Sequence, residues 1–340
     1  MTSVLIHSVR DTTLIPFSLW TLHGPEASVL AKAELPHLSA WLAQAQRVAV
    51  QVDQVQAPLL ATLSPPHERA WAQAMGWRVA DGGLPTAARA ASDRGLDGAV
   101  HEASLMGWAF VSLCNWHVSN GQVTLGDPAH LQIDEATDAT LFQAMQSFFA
   151  EDGIALHPYK PGQWLAQSAL FVDLPTASLD RVIGRNIDPW LVGGHTPTDL
   201  LSPAAKLLRR LQNEMQMLLY THPVNEARRL TINSFWVHGT GALPASQPAH
   251  SEPAVIQTLR DSALQQDLIG WLAAWQHVDA HVIAPMLARI TVGEPQRLVL
   301  CGEHEFHVYD SAKPSLWQRV RQRLAPTSLD TVLAAAPLKD

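Results

Sequence analysis

A mixed α/β fold is predicted for this chain of 340 residues from three observations. Short apolar runs of strand length alternate unevenly with segments whose apolar residues recur at helical spacing, which suits a sheet of mixed direction with flanking helices. Apolar residues make up 47% of the chain and charged residues 16%, the balance of a globular protein with a buried core. The length exceeds what one simple core fills, so one large α/β domain or two domains are expected.

Val4-Leu5-Ile6 and Leu14-Ile15-Pro16-Phe17 read as short strands, and Leu35 to Ala45 as a helix. His67 to Met75 reads as a helix, with Ser64-Pro65-Pro66 at its start and Gly76 as its stop. Residues 78–104 read as a loop, or as a helix without clear bounds. Trp108 to Leu113 and Gln122 to Leu125 read as strands. Leu141, Phe142, Met145, Phe148 and Phe149 recur at helical spacing, with Asp134 or Thr137 as cap and Gly153 as stop. Trp164-Leu165 and Leu170-Phe171-Val172 suggest further strands.

Ser202-Pro203 opens the clearest helix, with Ser as cap and Pro in the first turn. Leu207, Leu208, Leu211, Met215, Leu218 and Leu219 form its apolar face. His222-Pro223 ends it, because Pro disfavours the helical conformation in the residue before it. Leu230 to Val237 is β-rich, and Gly239-Thr240-Gly241 reads as the turn that follows. Gln247 to Pro253 reads as a linker or surface loop, Val255 to Trp275 as one or two helices, Arg297 to Cys301 as a late strand and Leu316 to Leu324 as a short helix.

The formal net charge is −8 and there is no basic run, which speaks against nucleic acid as a partner. The local cluster Arg319, Arg321 and Arg323 reads as a solvated helix face. Cys114 and Cys301 are the only cysteines, too few for a disulfide framework and compatible with a reducing cytoplasm. No signal peptide is read in the first ten residues, and no apolar run approaches a membrane span, so a cytoplasmic protein without membrane contact is expected. The twelve Trp are scattered, as for core and interface packing.

The candidate sites start with His222, Asn225 and Arg228, just past a helix end. Arg offers a planar fork to a phosphate or carboxylate, while Asn and His donate without bulk. The plainer alternative has Asn225 capping a turn and Arg228 paired with a carboxylate such as Glu226. Gly239-Thr240-Gly241 would let backbone N–H groups approach an anion, or make an ordinary turn. Arg181 and Arg185 lie four apart and share a face if helical, either gripping an anion or neutralised by Asp180 and Asp188. If Cys301 to His307 is extended, Cys301, Glu303, Glu305 and His307 share a face while His304 points away. Their remaining metal partners would have to come from elsewhere.

His222-Pro223-Val224-Asn225-x-x-Arg228, Asn233-Ser234-Phe235-Trp236 and Gly239-Thr240-Gly241 resemble a motif of the archaeal-type cofactor-independent phosphoglycerate mutases, of the alkaline phosphatase superfamily. Ser64 to Arg69, Thr176 to Asn186 and Arg210 to Tyr220 resemble a bacterial group, the RpfE-type regulatory proteins. The resemblance implies a single α/β unit over residues 1–340, with an alkaline phosphatase-like mixed sheet, flanking helices and an inserted, substrate-type subdomain near residues 55–245. It also implies a site at His222, Asn225, Arg228, Asn233, Gly239, Thr240 and Gly241 for a phosphorylated three-carbon acid or similar anion. The mutases further need a two-metal centre with an Asp-Gly after the first strand, a Ser nucleophile and a late Gly-Asp-His. Here the late strand runs into Cys301-Gly302-Glu303-His304, and no nucleophile carries over. The expectation is a degenerate, regulatory binding protein for a small phosphorylated or carboxylate anion, without a cofactor. One alternative is an active metal-dependent phosphomutase or phosphatase using Glu303, His304, His307 and Asp11. Another is a protein-interaction module with a Trp-lined partner surface.

Overall fold

The computed structural model describes residues 11–21, 33–53, 62–96, 106–119, 121–193, 202–244, 251–311 and 329–335. The expected strand at Val4-Leu5-Ile6, the helix from Leu316 to Leu324 with its arginines, and residues 247–250 of the Gln247 to Pro253 segment lie outside these residues. The chain divides into two compact units. The first holds Met1–Pro58, Pro65–Arg78 and Pro248–Asp340, and the second holds Leu59–Ser64 and Val79–Gln247.

In chain order the first unit supplies β1 (Thr12–Ile15), β2 (Trp20–Thr21) and β3 (Ala45–Val52). The second supplies β4 (Gly107–Cys114), β5 (Trp116–Ser119), β6 (Gln122–Leu125), β7 (Ala155–Lys160), β8 (Gln163–Ser168) and β9 (Ser234–Gly241). The chain then returns to the first unit with β10 (Ala254–Val255), β11 (Arg297–Cys301), β12 (Glu305–Ser311) and β13 (Ala334–Ala335).

The main sheet of the first unit is mixed, in the order β10-β1-β11-β12-β3. β1 runs parallel to β10 and β11, while β12 is antiparallel to β11 and to β3. Every residue of β11 is buried, because helices cover both faces. Side chains alternate across it. Leu298 and Leu300 join Ile15 and Tyr309 against Trp41, Trp271, Trp275 and Met286, from helices Pro36–Leu42, Leu268–Val278 and Ala284–Thr291. Val299 and Cys301 join Leu14, Phe306 and Val308 against Ala70 and Trp71 of helix Pro66–Ala74. β10 and β3 are the edge strands among the described residues, and Val48, Val50 and Val52 of β3 are exposed.

The second unit is built on an antiparallel sheet ordered β7-β8-β4-β9. One face is apolar, with Ala109, Val111, Leu113, Trp164, Ala166, Phe235 and Val237. It is covered by Leu141, Met145 and Phe149 of helix Glu135–Glu151, and by Leu208, Leu211, Met215 and Leu219 of helix Pro203–Tyr220. Both helices start as their sequences specify. Asp134 accepts from the Thr137 N–H at 2.8 Å, and Ser202 accepts from the Ala205 N–H at 3.1 Å, each satisfying an otherwise unpaired first-turn donor. Buried Asp138 ties its helix to the β7–β8 hairpin by accepting from the Gly162 N–H at 2.8 Å and Trp164 Nε1 at 2.9 Å.

Several elements differ from expectation. The early helix ends at Leu42, because Ala45 begins β3. Thr86–Asp93 is a helix within the segment left open, and Ala169–Phe171 is a 3-10 turn capped by Ser168 rather than a strand. Among the described residues, no helix is long and apolar enough to cross a membrane.

Candidate functional site

Helix Pro203–Tyr220 gives way to a 3-10 turn over Pro223–Asn225. This brings His222, Asn225 and Arg228 onto one short stretch. Their polar atoms then turn to the backbone. His222 Nδ1 accepts from the Val224 N–H at 3.3 Å. Asn225 Nδ2 donates to the carbonyls of Leu219 (2.9 Å) and Ile232 (2.8 Å), and its Oδ1 accepts from the Ile232 N–H at 2.8 Å. Arg228 donates to the carbonyls of Leu230 (3.3 Å) and Leu131, not to Glu226. Asn233 bridges to Trp116, accepting from its N–H at 2.7 Å and donating to its carbonyl at 2.9 Å. Asn225 and Asn233 therefore act as staples that seat the entry to β9. The Thr137 hydrogen bonds, with a smaller contribution from the charge of Arg228, hold the Asp134 carboxyl below the usual range.

Gly239, Thr240 and Gly241 do not form a turn. They continue β9, opposite a register shift between Trp108 and Phe110 on β4. The reason is close approach. A Cβ on Gly239, whose φ is +66°, would lie 2.4 Å from Thr86 Oγ1 and 3.0 Å from Phe110, and one on Gly241 would lie 3.0 Å from Pro85. Thr240 is buried and bonds Thr176 Oγ1 at 3.0 Å and the Leu174 carbonyl at 2.5 Å. Gly239→Ala is expected to cost roughly 2 kcal/mol from left-handed strain and overpacking, read as a lowered urea midpoint.

Arg181 and Arg185 do not share a helical face. The helix stops at Val182, Ile183 is extended and Gly184 takes φ +76°, so the four-residue spacing loses its helical meaning. Arg181 is buried and donates to Thr62 Oγ1 at 2.8 Å. The Arg185 carbonyl accepts from the Leu125 N–H, which places Arg185 beside β6.

In the first unit, Cys301 to His307 is not one extended strand. Gly302 to His304 is a tight turn, closed by the Gly302 N–H on the Glu305 carbonyl at 2.8 Å. His304 therefore does not point away from its neighbours. Its Nε2 lies 3.6 Å from Glu303 Oε1 and its Nδ1 lies 3.9 Å from Asp53 Oδ2. Asp53 is fully buried and forms an ion pair with Arg69. His307 Nε2 lies 3.2 Å from Glu305 Oε2, and Asp11 pairs with Arg289. Among the described residues, no group of three or more His, Cys, Asp or Glu converges as a metal centre requires. Both cysteines are buried and their thiols are pushed up by burial, which makes them poor nucleophiles.

A further cluster went unread in the sequence. On the face of the second unit's sheet opposite its main helices, Ser112 of β4, Gln163 of β8 and His238 of β9 meet. Gln163 Nε2 donates to Ser112 Oγ at 2.8 Å, and Ser112 Oγ lies 2.9 Å from His238 Nε2. Gln163 Nε2 lies 3.3 Å from the same ring nitrogen. One tautomer satisfies the whole set: Ser112 donates to Nε2, and the ring proton sits on Nδ1. Burial is the chief cause that lowers the His238 pKa to about 3, with Asp180 opposing and Lys160 reinforcing the shift. At neutral pH the ring is therefore an uncharged donor. Phe110 lies beside it, with ring centroids 5.2 Å apart. Ser112 is buried, whereas His238 and Gln163 keep partial access to water. The arrangement offers an Nδ1–H donor from a rigid sheet, and a serine hydroxyl whose proton already points at a base.

No protein-family model matches the chain, and a search of curated proteins finds no match. Among solved structures the chain is similar to a cofactor-independent phosphoglycerate mutase from Thermoplasma acidophilum DSM 1728. The likeness has 14% identity over 88% of this chain and 89% of that one, with a TM-score of 0.35.

Proposed function

We propose that this chain is a regulatory binding protein for a small carboxylate or phosphate ester, seated at His238 in the second unit. The observation that carries this reading is the saturation of His238 Nε2 by Ser112 and Gln163, which leaves Nδ1–H as the ring's remaining donor. The charges of Asp180 and, more weakly, Lys160 both act on the ring, so the preference for an anion rests on the Nδ1–H donor. The motif-level resemblance of residues 222–241 to the substrate segment of the mutases supports the same class of ligand. Of the candidates for a metal centre in the first unit, Asp11 is engaged by Arg289, and no group of three His, Cys, Asp or Glu converges among the described residues.

Titration of the full chain with 3-phosphoglycerate, related phosphate esters and inorganic phosphate tests this, with Trp fluorescence and calorimetry as readouts. Saturable binding that weakens at least about tenfold in His238→Phe is expected, since a charge-assisted donor is lost. No binding to wild type, or equal binding to the variant, overturns it. Arg228→Ala in the same titration reads whether the 222–228 turn contributes a second hold on the anion.

A second reading, acyl or phosphoryl transfer through Ser112, is favoured by the 2.9 Å contact with His238. Turnover of p-nitrophenyl esters or phosphates that disappears in Ser112→Ala would select it over binding alone.

The same histidine imposes a pH dependence. Its ordinary pKa is 6.5, and burial takes it to about 3 in the folded chain. Between these values the unfolded state binds more protons, so this group's contribution removes stability as pH falls from 6.5. The full shift corresponds to about 5 kcal/mol, and partial access of water to the ring reduces it to roughly 2–3 kcal/mol. His238→Gln is expected to lose less stability than wild type between pH 7 and pH 4, measured by urea unfolding at each pH.

A further inference from the structure

We propose that His277 and His281, on the first unit's helical segment, form a two-imidazole chelate for a borderline divalent ion such as Cu²⁺, Ni²⁺ or Zn²⁺. The two residues lie four apart where helix Leu268–Val278 passes into a π-helical turn over Asp279–Ile283. Turns of this kind widen a helix locally and are frequent at functional positions. Both side chains are exposed, and their rings stack with centroids 4.2 Å apart at an interplanar angle of 24°.

The tautomer of one ligand is already set. His281 Nδ1 lies 2.9 Å from the His277 carbonyl, an oxygen that only accepts, so Nδ1 carries the proton. Nε2 of His281 is then an unprotonated lone pair. A backbone carbonyl holding the second ring nitrogen is the support that metal-bound histidines ordinarily have. Among the described residues no hydrogen bond constrains the His277 ring, and a small rotation about its exposed side-chain bonds brings its own nitrogen towards the same point. Two neutral imidazoles without a carboxylate select the nitrogen-preferring ions, Cu²⁺ most strongly, over Mg²⁺ and Ca²⁺. Water completes the coordination, consistent with the absence of any group of three protein ligands among the described residues.

The experiment uses the full chain freed of any histidine tag. CuCl₂ and ZnCl₂ are titrated by calorimetry, with quenching of Trp fluorescence as a second readout for Cu²⁺, because Trp271 and Trp275 lie on the same helix. One equivalent of Cu²⁺ is expected to bind, with Zn²⁺ weaker and MgCl₂ silent. His277→Ala and His281→Ala should each weaken binding at least about tenfold, because the second bond of a chelate is intramolecular. His222→Ala, in the other unit, should leave it unchanged. Thermal melts without metal should match wild type for both variants, since the side chains are exposed. Failure of wild type to bind Cu²⁺, or binding that survives both substitutions, overturns the proposal. The outcome is independent of the anion titration at His238.

Discussion

Arg69→Leu is expected to destabilise the chain by about 3–5 kcal/mol, the cost of leaving a buried charge without its partner. Asp53 is fully buried and its carboxylate forms an ion pair with Arg69. Beside it, His304 Nδ1 lies 3.9 Å away, beyond hydrogen-bond reach. Truncating the guanidinium thus removes the charge that pairs with the buried carboxylate. The urea midpoint of the single variant should fall steeply. Joining it with Asp53→Leu should restore much of the loss, because neither charge then remains to be solvated. A double variant as unstable as the single one would show that packing of the Arg69 stem, and not the charge pair, dominates.

Asn225→Ala is expected to cost roughly 2–4 kcal/mol, because three hydrogen bonds to the backbone of Leu219 and Ile232 are lost at once. One carboxamide supplies both donors and the acceptor, which no other small side chain does. Asn225→Asp separates the structural role from an anion-holding one. Its carboxylate still accepts from the Ile232 N–H but faces two carbonyl oxygens as a negative charge, so stability should fall at least as far as in Asn225→Ala. If both variants melt like wild type while phosphate-ester affinity drops, Asn225 is a ligand contact instead of a staple. Anion affinity that persists in a destabilised Asn225→Ala confirms the staple.

These two sites show where sequence reading succeeds and where it stops. Ser202-Pro203 and His222-Pro223 bound a helix that the structure places over Pro203–Tyr220. Its apolar stripe is the stripe that meets the second unit's sheet. Trp108 to Leu113 lies within β4, and Arg297 to Cys301 is β11. Capping residues, proline and apolar period act within a few residues of chain, so they are legible without knowing the fold. Gly239 and Gly241 were legible as special, yet the cause was not a turn. It was the approach of Pro85 and Thr86, which are distant in sequence. For Arg181 and Arg185, the left-handed Gly184 cancelled a helical spacing that looked continuous on paper.

By itself the sequence determined the mixed α/β class, the main helix ends and the identity of the polar residues around β9. Only the tertiary structure decided what those residues touch. Asn225 and Arg228 were turned to carbonyls, and Asp53 was matched with Arg69. His238 was placed against Ser112, 126 positions away in the chain. The reason is range: caps and periodicity are set by local backbone sterics, whereas a side chain's partner depends on strand order and register, which the whole chain settles together.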